Sequence, residues 1–330
     1  MSDFSAFQVR RTDDGFERDV VRRSVTDLPD GDVLIDVRYS SLNYKDALSA
    51  TGNPGVTRNF PHTPGIDASG VVVESSDPAF APGQSVVVIG FDLGMGTAGG
   101  FAERIRVPAG WVVALPDGLT LRSAMVLGTA GFTAALCVDK LLAAGLAPGQ
   151  GPVLVTGATG GVGSVAVRLL AQLGYEVVAA SGKAEQHAYL KALGATSIVD
   201  RDGARFGIDK PMLKETYAGV VDTVGGDTLV TGLKTLRYGG SLAACGLVES
   251  PAIHATVLPF ILRHVNLLGI DSVQLPLAEK ERIWNRLAGE WSLDLEQTVT
   301  ELQLDDLDAA IDRILGGNMV GRGLVMVQGE

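Results

Sequence analysis

The run Val153-Leu154-Val155-Thr156-Gly157-Ala158-Thr159-Gly160-Gly161-Val162-Gly163 constrains this chain more than any other segment. A short β-branched stretch leads into the glycines, and a helical, largely apolar stretch follows over residues 161–173. Glycine at 160 lets the backbone approach a bulky anion, and glycine at 163 lets the helix pack closely on the strand. Free N–H groups at the helix start then face that anion. The spacing is A-x-G-x-x-G, with Ala158 where the commonest dinucleotide-binding loop has its first glycine. A strand before it and a helix after it supply the context the pattern needs.

The rhythm around the loop predicts the rest of a domain. Residues 152–156, 176–180, 197–199, 219–222 and 241–245 read as strands, and 161–173, 184–193 and 227–236 as helices. Such alternation predicts βαβ units and a parallel sheet covered on both faces. Upstream, short β-branched segments at 33–39, 70–73, 86–89, 101–107 and 111–115 are set between Pro, Gly and Asp and predict a β-rich domain. A helix at 122–142 and the Pro148-Gly149 turn follow. Beyond about 265 the rhythm loosens into helices at 279–287 and 306–315 and a strand at 323–327. The expected fold class is α/β, a β-rich domain at 1–124 followed by a doubly wound parallel-sheet domain at 125–265. Residues 266–330 are expected to return to the first domain, with ligands in the cleft between the two.

A length of 330 residues suits two domains, and 46% hydrophobic against 20% charged residues excludes a disordered chain. The net charge of −11, with no dense Lys/Arg run, argues against a nucleic-acid partner. Cys137 and Cys245 are too few for a disulfide framework or a four-cysteine zinc site, which fits a reducing compartment. Met1-Ser2-Asp3-Phe4 has neither a basic nor an apolar leader character. The uncharged stretch 141–167 is long enough to span a bilayer, but Pro148, Pro152 and its glycines make it a loop, a strand and the phosphate loop. A cytoplasmic protein without a membrane partner is expected.

The end of the second strand selects the cofactor. Ala180-Ser181-Gly182-Lys183 offers no carboxylate for a ribose 2′-OH, whereas Ser181, Lys183 and, after the next strand, Arg201 can donate to a 2′-phosphate. NADPH is therefore expected rather than NADH, the alternative for Lys183 being a solvated lysine at a helix start.

Further motifs run in a recognisable order. They are Ser41-Leu-Asn43-Tyr44-Lys45-Asp46, Pro61-His-Thr-Pro64-Gly65-Ile-Asp67-Ala-Ser-Gly70, Gly128-Thr-Ala-Gly-Phe-Thr-Ala134 and Asp222-Thr-Val-Gly225. Ala244-Cys245-Gly246-Leu247, Pro259-Phe-Ile261-Leu-Arg263, Gly269-Ile-Asp271-Ser272 and Gly321-Arg322 follow. With the glycine loop, they resemble the medium-chain dehydrogenase/reductases, in the zinc-free, quinone oxidoreductase-like branch, and look like the bacterial acrylyl-CoA reductases. The resemblance implies a GroES-like catalytic domain, a Rossmann domain and a homodimer. It implies cofactor contacts at Tyr44, Ala158, Thr159, Gly160, Gly161, Val162, Gly163, Ser181, Gly182, Lys183, Arg201, Leu247, Ile261 and Ser272.

Zinc-bearing relatives begin with cysteine the segment that here starts at Asn43, and carry a His-Glu pair where Gly65-Ile66-Asp67 stands. His62, His187, His254 and His264 show no metal-ligand spacing, and His62 reads as a packing or hydrogen-bonding residue. Metal-free hydride chemistry suits a substrate with its own electron sink. In acrylyl-CoA, hydride adds to Cβ, charge flows to the thioester oxygen, and Cα takes a proton. The alternatives are an NADPH:quinone or general enone reductase, and a non-catalytic NADPH-binding protein.

Tyr44 is the first candidate for proton donor or thioester partner, or else packs on the cofactor ring. Asn43 is expected to orient backbone or substrate. Lys45 and Asp46 are candidates for the site, with Asp46 as a helix cap the alternative. Arg322 is a candidate contact for an anionic ligand, and Arg263 and Arg58 are weaker ones for the CoA phosphates. Asp67 is expected to fix a turn, and Cys137 and Cys245 to be core residues.

Overall fold

A computed structural model describes residues 3–328, so Met1 and Ser2 of the N-terminal tetrapeptide lie outside the described residues. The chain forms two compact units, one from residues up to 129 together with those from 272 onward, the other from 130–271.

The first unit opens with an antiparallel hairpin of β1 (Asp3–Thr12) and β2 (Gly15–Ser24). Next come β3 (Val33–Leu42), α1 (Tyr44–Ala50), β4 (Asp67–Ser75), β5 (Ser85–Ile89), β6 (Arg104–Val107) and β7 (Val112–Ala114). Inward residues of these strands, among them Val33, Ile35, Val37, Val86, Val88 and Ile105, build one apolar core with Phe7 and Phe101. Gly70 faces Val37, where the β3–β4 register shifts. A Cβ there would overlap the Asp36 carbonyl oxygen and stand 2.9 Å from Val37 Cα, so only glycine lets the strands approach. The strand expected at 101–107 starts at Arg104, because Phe101 instead gives its N–H to Pro64 and its carbonyl to Phe7.

The helix expected at 122–142 is α2 (Leu121–Ala143), but it breaks at Gly128, with φ 51° and ψ −159°. Among the described residues it is the one helix long and apolar enough to cross a membrane, yet 78% of its most apolar window is buried in protein. The break is where the units divide, five residues later than the expected boundary at 124.

The second unit contains β8 (Val153–Val155), α3 (Gly161–Gln172), β9 (Val177–Ala180), α4 (His187–Ala192), β10 (Ser197–Val199) and α5 (Arg201–Ala204). It continues with β11 (Tyr217–Asp222), α6 (Gly226–Thr235), β12 (Leu236–Ala244), α7 (Leu258–Arg263) and β13 (Asn266–Gly269). All six strands are parallel, in the order β10-β9-β8-β11-β12-β13. Strands β8, β9 and β11 are buried throughout, which is why they read as unbroken apolar runs. The order reverses between β8 and β11, and such a switch point opens a crevice at the carboxyl ends of the strands. Residues 266–271 stay with this unit, rather than leaving it at 265, because β13 extends its sheet.

The tail holds α8 (Leu277–Ala288), β14 (Val299–Gln303), α9 (Leu307–Leu315) and β15 (Arg322–Met326). β15 pairs with β3 from Gly323 opposite Leu42 to Met326 opposite Tyr39, and β14 pairs with β15. This returns the tail to the first unit and sets Arg322 beside the end of β3.

Candidate active site

In the first unit a buried polar cluster forms where β3 gives way to α1. Asn43 precedes the helix, and Asp46 in its first turn reaches back to accept the Asn43 N–H at 2.8 Å. Its other oxygen accepts the Ile66 N–H at 2.8 Å. Asp67, at the start of β4, is more heavily engaged. Its Oδ2 accepts Asn43 Nδ2 at 2.8 Å, the Thr129 N–H at 2.9 Å and the Ser41 hydroxyl, while its Oδ1 accepts the Thr129 hydroxyl. The break at Gly128 interrupts the helical hydrogen-bond pattern at Thr129, whose N–H turns to the carboxylate. Arg322 closes the cluster, donating from Nε to the Val126 carbonyl at 2.9 Å and from Nη2 to Ser41 Oγ at 3.0 Å.

Both carboxylates are fully buried, and Arg322 is only 2% exposed. Burial, and then the negative charge of Asp67, push the Asp46 carboxyl up from 3.8 to about 7 against the pull of the Asn43 and Ile66 N–H groups. These contacts place three of the candidate residues. Asp46 is a helix cap enclosed in protein rather than a group that meets substrate. It does not pair with Lys45, which is half-buried. Arg322 is enclosed and bonded to the Val126 carbonyl and Ser41 rather than an open contact for an anion. Tyr44 is half-buried, and its hydroxyl takes no hydrogen bond among the described residues.

In the second unit Gly160 caps α3, and the amides of Gly161, Val162 and Gly163 have no partner among the described residues. Three adjacent unpaired N–H groups at a helix start suit a pyrophosphate. Ala158 is fully buried and gives its N–H to the Ala180 carbonyl at 3.1 Å, and Thr159 is 6% exposed, so neither side chain is an open binding group. Behind the loop, Asp222 accepts Thr156 Oγ1 and the Gly225 N–H, each at 2.7 Å, which ties the ends of β8 and β11 together. Burial raises its pKa, and these bonds oppose the rise.

The tip of β9 fits a 2′-phosphate. Ser181 is buried, with its Oγ accepting the Lys183 N–H at 3.1 Å. Arg201 is exposed and forms no ion pair among the described residues. Its guanidinium lies over Gly182, where a Cβ would stand 3.4 Å from Nε. Leu247 and Ile261 are exposed, whereas Ser272 is buried and belongs to the first unit.

Arg263 is spent on structure: it donates to the Lys234 carbonyl at 2.8 Å and the Leu213 carbonyl at 2.5 Å, and pairs with Glu215. Arg58 is exposed and donates to the Pro54 carbonyl at 3.1 Å. His62 is buried against the Gly94 carbonyl at 2.9 Å, and burial lowers its pKa. Cys137 is buried on α2, its thiol pushed well up by contact with Cys245 and by burial. Cys245 donates to the Asp222 carbonyl at 3.3 Å. Among the described residues no three His, Cys, Asp or Glu side chains stand together as metal ligands.

Sequence reasoning missed the centre of the first cluster. The sequence points to a turn at Asp67 and does not mark Thr129. The only signals were the motifs that contain them.

Comparison with known proteins places this geometry. Residues 29–117 match the alcohol dehydrogenase GroES-like domain, and residues 161–288 match the family described as zinc-binding dehydrogenase. The acrylyl-CoA reductase AcuI of Ruegeria pomeroyi is 48% identical over 93% of this chain and 94% of its own. YhfP of Bacillus subtilis, assigned by name to the quinone oxidoreductases, is 44% identical over 98% of both chains. Its solved structure, with NAD bound, superposes with a TM-score of 0.96 at 43% identity, covering 99% of this chain and 100% of that one. The yhdH oxidoreductase of Salmonella enterica, solved in complex with NADP, gives a TM-score of 0.95 at 46% identity, covering 98% and 100%. The chain belongs to the medium-chain dehydrogenase/reductase superfamily, in the branch of the acrylyl-CoA reductases and their quinone oxidoreductase-like relatives.

Proposed function

We propose that this protein uses NADPH to reduce the C=C bond of acrylyl-CoA, giving propionyl-CoA. The observation that carries this reading is the likeness to the Ruegeria enzyme across nearly the whole of both chains. The three unpaired amides at 161–163 suit the pyrophosphate, and Arg201 with Ser181 and Lys183 suits the 2′-phosphate.

NADPH, when bound, supplies hydride to Cβ of the acrylyl group. The thioester carbonyl accepts the displaced charge, so the chain's own residues need to hold the substrate, stabilise the enolate oxygen and deliver a proton to Cα. Tyr44 has the free hydroxyl for the last task, or for a hydrogen bond to the thioester. Asn43 commits its amide to Asp67 and Ser41, and so orients the backbone that carries Tyr44. With Tyr44 as the proton donor, Tyr44→Phe is expected to lower kcat about 100-fold, the scale of a general acid, with KM for NADPH unchanged. An unchanged chemical step would retire Tyr44 as the acid.

The same reading makes the protein a cytoplasmic homodimer. β13 is one of the two edges of its sheet among the described residues, and α7 just before it exposes Ile261 and Leu262. An open edge beside exposed apolar side chains suits a subunit interface. Sedimentation is expected to give twice the chain mass of 34.4 kDa, and a single-chain mass would contradict it.

The assay follows NADPH absorbance with acrylyl-CoA, with NADH, crotonyl-CoA and a simple quinone in parallel. Rapid oxidation confined to NADPH and acrylyl-CoA is expected. Turnover of quinone but not thioester would favour the quinone reductase reading, for which the likeness to the Bacillus protein speaks. Binding of NADPH with no oxidation by any of them would leave a binding protein.

A further inference from the structure

Building on the reduction of a conjugated carbonyl proposed above, we infer that Asp67 is a positioning residue for the reaction, holding the Asn43–Tyr44 pair in fixed register with Thr129. Three observations lead here. First, the Asp67 carboxylate joins two helix starts that are far apart in sequence. It accepts Asn43 Nδ2 at 2.8 Å, at the N-terminal end of α1, and the Thr129 N–H at 2.9 Å, where α2 resumes after its break. Negative charge at a helix N-terminus is favourable, and here one carboxylate serves two. Second, Asp67 also accepts both nearby hydroxyls, those of Ser41 and Thr129, so four donors converge on one fully buried side chain. Third, the packing leaves no freedom. A Cβ on Gly128 would collide with Ser41 Oγ and stand 2.7 Å from Asp67 Oδ2 and 2.8 Å from Arg322 Nη2.

The helix that begins at Tyr44 inherits its position from this clamp. Asn43 is tied through its side chain to Asp67 and through its backbone N–H to Asp46, and the next residue carries the free hydroxyl. Asp67 itself is enclosed and acts only through these neighbours. A misplacement of about 1 Å at a reacting group can cost on the order of 100-fold in rate, so loss of the clamp is expected to appear in the chemical step.

The test has one arm that needs no activity and one that does. In hydrogen exchange followed by mass spectrometry on the full chain, Asp67→Asn is expected to speed exchange in segments 43–50 and 128–132 together. Acceleration of one segment alone, or of neither, would overturn the clamp. In steady-state kinetics with whichever conjugated substrate the wild type reduces, Asp67→Asn is expected to lower kcat about 10- to 100-fold. KM for NADPH is expected to stay within twofold of wild type. Thr129→Val, which removes only the hydroxyl, is expected to lower kcat in the same sense and serves if Asp67→Asn does not fold, while Thr129→Ser restores it. Wild-type kcat in Asp67→Asn, or a change confined to KM, would refute the positioning role. Turnover of quinone but not acrylyl-CoA by the wild type would defeat the thioester reading while Asp67 is still tested with the quinone.

Discussion

Gly163→Val is expected to raise the Kd for NADPH at least about 100-fold, a loss of about 2.7 kcal/mol. A Cβ at this position would overlap the Gly157 carbonyl oxygen and stand 2.8 Å from Ala158 Cα. Both neighbours are backbone, so no side chain can swing aside. Either α3 retreats from the loop or the loop opens, and both movements displace the amides of 161–163. Overpacking of this kind also costs stability, typically about 1–3 kcal/mol, so a lower Tm is expected as well. Gly160→Ala provides the contrast. Its Cβ would stand 3.3 Å from the Gly157 carbonyl oxygen, so the fold accommodates it with a small shift while the space for phosphate shrinks. Calorimetric titration of both variants with NADPH checks the pair. Wild-type affinity in Gly163→Val would remove this loop from the cofactor site.

The second large effect concerns pH and stability. Asp46 in the folded protein holds its proton up to about pH 7, whereas an unfolded aspartate releases it near 3.8. Between those values the native state binds more protons than the unfolded state. Stability therefore falls as pH rises from about 4 to about 7, and levels off above. Each tenfold change in proton affinity is worth about 1.4 kcal/mol, so the full displacement amounts to on the order of 4 kcal/mol. Burial is the larger cause and the charge of Asp67 the next. Asp46→Asn cannot ionise, but it turns an amide toward the Asn43 N–H and loses a hydrogen bond. The variant is thus expected to be less stable than wild type at pH 5. Between pH 5 and pH 8 the wild type should lose on the order of 3 kcal/mol relative to it. Urea unfolding of both proteins at the two pH values measures this directly. A difference that does not change with pH would show that Asp46 is ionised throughout.

Both effects arise from close packing, but only the first could be read in the sequence. The glycine loop is contiguous, and each of its glycines answers a local demand, so strand, turn and helix appear in one stretch. The parallel strands were legible for the same reason, since burial on both faces leaves long apolar runs such as Val177–Ala180. The polar cluster is of another kind. Ser41, Asn43, Asp46, Asp67, Thr129 and Arg322 come from four stretches of chain, and the register of β15 on β3 sets Arg322 among them. No spacing rule links positions 67 and 129. Arg322 and Asp46 therefore looked like open functional groups, although the fold encloses them. The hairpin of β1 and β2 is not legible because β2 has no fully buried residue and carries several charges. Nor is β13, because four residues are too few to show a period.

The clamp and the glycine loop divide the work by chemistry. The loop offers unpaired donors to an anion, and its tightness makes it intolerant of a side chain. The cluster has turned its donors inward, and leaves Tyr44 with a free hydroxyl at the start of a helix whose position is fixed.

The central claim is direct hydride delivery to the β-carbon of an enoyl thioester, and the most direct test is isotopic. The wild-type protein would be given acrylyl-CoA and NADPH deuterated at C4 of the nicotinamide, on each face in turn, and the propionyl-CoA analysed by mass spectrometry and NMR. One of the two labelled cofactors is expected to place a single deuterium at Cβ, with the Cα hydrogen drawn from solvent. Deuterium at Cα, or propionyl-CoA left unlabelled by both cofactors, would contradict the account.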